Sequence, residues 1–196
     1  MRLYLIRHPR PVIEPGLCYG HTDLCVDSAE VTRLTASLSR GLPNPAIVFC
    51  SPLQRCTGFA DALVEAGGYA NARRDPDLME MFFGTWEMQP WENIQRREID
   101  AWANDMAHYR PGGGESVCDV ARRVLRFRDS MQQMTWADAI VVCHAGTIRL
   151  LQAWREGFDA EALAVAAASK PHAIGYGEIS MIDLPSKICR PYAQRL

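Results

Sequence analysis

The sequence predicts a three-layer α/β/α sandwich with a mostly parallel central sheet. Three observations carry that expectation. Three short apolar runs, Leu3-Tyr4-Leu5-Ile6, Ala46-Ile47-Val48-Phe49-Cys50 and Ala139-Ile140-Val141-Val142-Cys143, are rich in strand formers and read as buried strands. Capped amphipathic segments alternate with them, which implies helices on both faces of one sheet. Each run also stops abruptly on polar residues, at Arg7-His8-Pro9, Ser51-Pro52 and His144-Ala145-Gly146. Ligands bind at such carboxyl ends in open α/β sheets.

The first strand ends because Pro9 and Pro11 cannot continue a central strand. Pro11 to Val26, broken by Pro15, Gly16 and Gly20, is a loop that starts at the strand end and folds back over it. Tyr19, Gly20, His21 and Asp23 are within reach of a ligand there. Asp27 to Arg40 is the first helix, with Asp27-Ser28-Ala29-Glu30 resembling a capping box and Val31, Leu34 and Leu38 on one face.

After the second strand, Ser51 is placed to cap a helix, with Pro52 at its first position and Gln54 as capping-box partner. Its free N–H groups, with Arg55 in the first turn, are expected to form an anion site. Gly67-Gly68 ends that helix. Asn71 to Asp75 reads as a short outer strand. A cap-like insertion follows at about residues 77–115, within one domain spanning 1–196. Its Trp86, Trp91 and Trp102 are expected in a core rather than as a substrate platform. Arg110 to Glu115, with three glycines, is a linker beside the pocket; it lacks the Lys-Ser/Thr ending of a nucleotide-binding loop. Ser116-x-x-Asp119 caps a helix to Met134. Helices at Thr147 to Glu156 and Asp159 to Ala168, and a last strand at Tyr176 to Asp183, complete the order.

Composition narrows the function. The 196 residues suffice for one real core. A net charge of −2 gives nucleic acid or an anionic membrane no bulk attraction, so neither is expected as a partner. No apolar run approaches the ~18 residues of a membrane span. Arg7 interrupts the N-terminal apolar run too early for a signal peptide. Seven cysteines, an odd number without a C-x-x-C pair, suit reduced thiols and a cytoplasmic location. The composition also admits a homodimer.

Arg7, His8, Arg55 and His144 are thus delivered to one sheet edge. Two guanidinium groups and two imidazoles at one locus call for an anion, and a small-molecule phosphate ester is the simplest. His8 can attack phosphorus to give a phosphohistidine, while Arg7, Arg55 and His144 meet the charge on the equatorial oxygens. Glu80, flanked by Met79, Met81 and Phe82, is the candidate to protonate the leaving alkoxide and then activate water. Glu87 is a weaker candidate for that task. The chemistry requires no metal or cofactor. His108 and His172 have no such company and are read as structural.

Four blocks, Arg7-His8, Ser51 to Arg55, Leu78 to Glu87 and His144-Ala145-Gly146, resemble the histidine phosphatase (phosphoglycerate mutase-like) superfamily, in order over most of the chain. The resemblance implies a phosphoglycerate mutase-like fold, His8 as nucleophile, Arg7, Arg55 and His144 as phosphate ligands and Glu80 as proton donor. The short length, Tyr19-Gly20-x-x-Asp23 and the Pro-Gly-Gly-Gly-Glu-Ser block look most like its α-ribazole phosphatase branch, which acts in the nucleotide-loop part of cobalamin synthesis. Arg10, Gly20, His21 and Ala145 are the further substrate-binding candidates. The chain departs from the superfamily pattern at Pro9, Arg10, Pro11, Glu14 and Phe59.

Other readings are open to the same residues. Cys143 to Arg149 has the Cys-x5-Arg spacing of cysteine phosphatases. A phosphoglycerate mutase would carry longer insertions. A broad-specificity sugar-phosphate or nucleotide phosphatase would use the same chemistry. A catalytically silent phospholigand-binding module would be expected to have lost His8 or Glu80.

Overall fold

A computed structural model of the chain describes residues 1–169 and 173–185. Its centre is a five-stranded sheet built from β1 (Arg2–Arg7), β2 (Ile47–Cys50), β3 (Ala72–Arg74), β4 (Asp138–Cys143) and β5 (Ile179–Asp183). The strand order is β3-β2-β4-β1-β5. All neighbours are parallel except β5, which runs antiparallel to β1 at one edge. The helices are α1 (Ser28–Leu38), α2 (Gln54–Gly67), α3 (Arg96–Asn104), α4 (Val117–Met131), α5 (Ala145–Ala153) and α6 (Ala160–Ala168).

The sandwich follows from side-chain alternation along the strands. Leu3, Leu5, Ile47, Phe49, Ala139, Val141 and Cys143 face one core with α4, α5 and α6. Ile6, Val48, Cys50, Ile140 and Val142 face the other with α1 and α2. Burial on both faces is why the strand sequences are continuously apolar.

Several element boundaries differ from the sequence expectation. The first helix has Asp27 as N-cap to the Ala29 N–H, but Glu30 pairs with Arg33 instead of completing a capping box. The second helix starts at Gln54, with Leu53 as an extended N-cap that offers no side-chain acceptor. Ser51 is therefore not its cap. The Gln54 N–H is donated to Asp23 Oδ1 at 2.7 Å, so the expected free anion site at this terminus is occupied by a carboxylate of the chain itself. The fourth helix has the full Ser116–Asp119 capping box.

Register positions the site. Arg7 pairs with Cys143 across β1 and β4, and Cys50 with Val142 across β2 and β4. The His8 N–H then reaches the Cys143 carbonyl at 2.9 Å and the Ser51 N–H the Val142 carbonyl at 3.0 Å. His8, Ser51 and His144 leave the sheet side by side.

Residues 76–113 hold four short 3-10 turns and α3. The loop after β1 joins this region, since Cys18 exchanges hydrogen bonds with Met88 and Gln89, and the Trp91 N–H reaches the Gly16 carbonyl. Cys18, Trp86 and Ile94 form a third small core there. The glycine-rich segment packs against it backbone to backbone. Gly84 and Gly112 both have positive φ, and a Cβ on Gly84 would lie 2.1 Å from the Gly112 carbonyl oxygen.

Candidate active site

A cavity of about 510 Å³ opens at the carboxyl ends of β1 and β4. Arg7, His8, Arg55, Glu80 and Ala145 line it, so one cavity wall gathers side chains from four separate parts of the chain.

His8 follows β1 directly and is 2 % exposed. Its Nδ1 lies 2.6 Å from the Pro9 carbonyl oxygen. A carbonyl only accepts, so Nδ1 carries the proton and Nε2 the lone pair. Burial and then the charge of Arg55 push His8 down to about 3, against the opposing pull of the Pro9 carbonyl. The imidazole is neutral at ordinary pH.

Arg55, fully buried in the first turn of α2, is held at three points. Its Nη2 donates to the Gly20 carbonyl at 2.5 Å, Nη1 to the Thr22 carbonyl at 2.9 Å and Nε to His144 Nδ1 at 3.3 Å. One hydrogen on each Nη is left for a ligand. Arg7 donates from one Nη to the Ile174 carbonyl at 2.6 Å and stacks on Tyr176, 3.8 Å from the ring centroid. Its Nε is buried without a hydrogen-bond partner among the described residues, as is the indole N–H of Trp102. Both belong to cavity-lining side chains.

His144 is the N-cap residue of α5, and its ring centroid is 5.1 Å from that of His8. Nε2 reaches Ser51 Oγ at 2.9 Å while Nδ1 accepts from Arg55. Burial, then His8 and Arg55, hold its pKa well below the usual imidazole range. The two imidazoles are therefore neutral, and the positive charge expected of four groups rests on the arginines. His144 lies behind Arg55 rather than in the cavity wall.

Glu80 comes from the irregular stretch after Leu78. Its Oε2 accepts from the Gly146 N–H at 3.1 Å and its Oε1 from the Met81 N–H at 3.0 Å. A Cβ on Gly146 would lie 2.3 Å from Glu80 Oε1 and would displace that carboxylate. The fifth helix begins two residues earlier than its apolar pattern suggests, and that early start supplies this N–H.

Three candidates from the sequence take other positions. Gly20 lies under the site: its carbonyl anchors Arg55, and a Cβ would meet the Met81 carbonyl oxygen at 1.7 Å. His21 packs on Phe82 and faces Glu115 at 3.6 Å, and Arg10 is exposed; neither lines the cavity. Glu87, the weaker acid candidate, has its carboxylate fully engaged with the backbone of His21, Thr22 and Phe83. Glu14 is exposed and Phe59 is buried in the core under α2, so these departures stand away from the cavity. His172 lies outside the described residues.

On the opposite wall the sequence expectation holds for Tyr19 but fails for Trp91 and Trp102, which were expected in a core. Trp91 and Trp102 line the cavity with Phe83, Tyr19 and Tyr176, while Trp86 alone is core at 2 % exposure. Trp91 and Trp102 are stacked, 8° from parallel, with centroids 6.2 Å apart. Tyr19 and Tyr176 share a hydroxyl–hydroxyl bond of 2.8 Å beside the arginines.

The Cys-x5-Arg reading finds no support. Cys143 is fully buried with its side chain in the core, and burial, then the Glu80 charge, push its thiol up. Among the described residues no three His, Cys, Asp or Glu side chains are grouped to hold a metal ion, and no helix is long and apolar enough to cross a membrane.

Known proteins resemble this chain over most of its length. Residues 3–174 match the model of the histidine phosphatase superfamily (branch 1). An adenosylcobalamin/alpha-ribazole phosphatase of Escherichia coli (strain K12) is 34% identical over 170 residues, covering 83% of each chain. One from Salmonella typhimurium (strain LT2) is 30% identical over 158 residues, covering 77% of each. The crystal structure of the alpha-ribazole phosphatase from Shigella flexneri superposes with a TM-score of 0.76 at 30% identity, covering 94% of this chain and 91% of that one.

Proposed function

The chain belongs to the histidine phosphatase superfamily, and from that premise we propose that it is a metal-independent phosphomonoesterase acting on α-ribazole 5′-phosphate through a phosphohistidine. The observation that carries the mechanism is the His8 tautomer. Its Nδ1–H is held by the Pro9 carbonyl, which leaves Nε2 as a neutral nucleophile in a cavity shared with Arg7, Arg55 and Glu80.

In the first step Nε2 forms a bond to phosphorus as the ester P–O bond breaks. The Glu80 carboxyl gives its proton to the departing alkoxide. Arg7 Nε and the spare Nη hydrogens of Arg55 meet the equatorial oxygens. His144 supports Arg55 from behind, its Nδ1 accepting the Arg55 Nε–H at 3.3 Å. In the second step Glu80 takes a proton from water, water oxygen bonds to phosphorus, and the P–N bond breaks to release phosphate and neutral His8. General acid–base help of this kind is worth about 10²–10⁴-fold.

The substrate assignment rests on the relatives' names and on the aromatic wall of the cap region at about 77–115. A flat benzimidazole riboside matches a face made by Trp91, Trp102 and Phe83. A cytoplasmic site of action suits the unpaired cysteines among the described residues.

The test is phosphate release from α-ribazole 5′-phosphate with EDTA present, comparing wild type with His8→Ala. Turnover by wild type alone supports the reading. Activity in His8→Ala would remove the nucleophile assignment. A wild type that ignores this ester but hydrolyses other sugar phosphates through His8 would leave the mechanism and lose the substrate.

A further inference from the structure

We infer that Arg123, paired with Glu115, is the positioning residue for the proton donor: it fixes the backbone on both sides of Glu80 and so aims that carboxyl at the reacting ester. The inference rests on the reading of Glu80 given above.

Arg123 lies on the buried face of α4, between Val120, Val124 and Phe127, and is 7 % exposed. A guanidinium there is tolerated only if its donors are met. All five are. Nε and one Nη2 hydrogen go to the two oxygens of Glu115, at 3.1 and 3.0 Å. The other three go to main-chain carbonyls of one segment: Asp77 at 3.1 Å, Met79, and Glu80 at 2.9 Å.

That segment has no ladder of its own, since residues 79–83 are neither helix nor strand. Glu115 completes the clamp on the far side of Glu80. Its carboxylate accepts the Phe82 N–H at 2.9 Å, and its own N–H is donated to the Phe82 carbonyl at 2.8 Å. Thr147 Oγ1 adds a bond to the Met79 carbonyl at 3.1 Å. With the backbone fixed at 77, 79, 80 and 82, the Glu80 side chain is delivered to the Gly146 N–H. Arg123 is absent from the cavity wall, so its effect passes through Glu80. A lysine has three donors on a flexible stem and cannot serve a planar carboxylate and three carbonyls together.

A scaffold role and a positioning role differ in how the loss depends on the leaving group. An alkoxide needs protonation as it departs; p-nitrophenolate leaves without it. The experiment compares kcat/KM of wild type, Arg123→Lys and Glu80→Gln on ribose 5-phosphate and on p-nitrophenyl phosphate. Arg123→Lys should lose about 10²-fold or more on the sugar phosphate and less than about threefold on the aryl ester, as Glu80→Gln does. Because Glu80 also activates water, p-nitrophenol should appear in a burst matching the enzyme concentration, followed by slow turnover. Adding Arg123→Lys to Glu80→Gln should bring little further loss, since both remove one function.

Equal losses on both esters, or no loss on the sugar phosphate, would overturn the inference. A Glu80→Gln enzyme without the leaving-group selectivity would instead overturn Glu80 as the donor, which separates failure of the underlying reading from failure of this one. Should Arg123→Lys not fold, Glu115→Gln keeps the shape of the pair and should show the same selectivity at smaller size; uniform behaviour there overturns the inference as well.

Discussion

The Nδ1–H of His8 is donated to the carbonyl oxygen of Pro9, 2.6 Å away and one residue along the chain. This bond links the proline that ends β1 to the electronic state of the nucleophile. Proline fixes its own φ and so the local course of the chain. The adjoining carbonyl then fixes the imidazole tautomer. With burial and Arg55 pushing His8 down to about 3, the ring stays neutral well into acid. Long-range proton–nitrogen NMR at about pH 5 should show His8 as the neutral Nδ1–H tautomer. A charged ring at that pH would contradict the electrostatics described here.

The same displacement predicts how stability depends on pH. In the unfolded chain each histidine titrates near 6.5; in the folded protein His8 does so near 3, and His144 well below its usual range. As pH falls through 6.5 the unfolded state takes up a proton at each that the native state does not. Stability is therefore fully present above 6.5 and is lost on acidification toward 3. Between pH 6.5 and about 5 the loss from His8 is of order 1.5 kcal/mol, and His144 adds to it in the same direction. Urea unfolding at those two pH values measures it, before carboxylates contribute. A flat profile in this window would mean that the two imidazoles take up protons in the native state as readily as in the unfolded chain.

Glu87 is expected to control phosphate affinity although it never reaches the phosphate. Its carboxylate accepts from the His21 and Thr22 N–H groups at 2.8 and 2.7 Å, from the Thr22 hydroxyl and from the Phe83 N–H at 3.0 Å. Burial alone would raise its pKa, and these bonds lower it on balance. The loop so held presents the Gly20 and Thr22 carbonyls to Arg55. In Glu87→Gln an amide N–H faces a backbone N–H, leaving a donor unmet at a cost of about 1–3 kcal/mol. The inhibition constant of inorganic phosphate should rise about 10-fold or more, with a smaller fall in kcat. An unchanged constant would show that Arg55 keeps its position without this support.

The contrast between Glu87 and His8 explains how much the chain revealed. His8, Arg55 and His144 were legible because each follows an apolar run or its junction, and strand ends in a parallel sheet converge. Glu87 was not, because its partners are 65 and 66 residues away and nothing local marks them. Ser51-Pro52 misled for the opposite reason: the pair is a good local helix start, but Leu53 stays extended and Ser51 turns to His144. Tertiary contact overrode a cap preference worth about 1 kcal/mol. The tryptophans were ambiguous in principle. One pattern of aromatics supplies both the buried Trp86 and the cavity-facing Trp91 and Trp102.

That aromatic wall makes its own prediction. Stacking of a flat heterocycle on an aromatic side chain is worth about 1–3 kcal/mol per ring. Trp102→Ala should raise KM for α-ribazole 5′-phosphate about 10–100-fold while leaving ribose 5-phosphate nearly unaffected. Trp102 also contacts Phe83 and Trp86, so Trp102→Phe serves as the variant that keeps the packing, with a smaller change in the same direction. Equal effects on the two esters would place the heterocycle elsewhere.

Cys143 provides the sharpest chemical contrast with His8, since both sit at strand ends that pair through the His8 N–H and the Cys143 carbonyl. The thiol is fully buried in the core shared with α4 and α5, and burial and Glu80 disfavour its thiolate. A thiol that is neutral and absent from the cavity wall cannot attack the ester. Cys143→Ser should therefore keep kcat within about threefold while lowering the melting temperature, because the buried hydroxyl costs about 1–3 kcal/mol unless it finds a partner. His8→Ala should show the reverse, a folded protein without turnover. If Cys143→Ser were folded and inactive while His8→Ala remained active, the nucleophile would be the sulfur, and the Cys-x5-Arg spacing to Arg149 would become the site's organising feature.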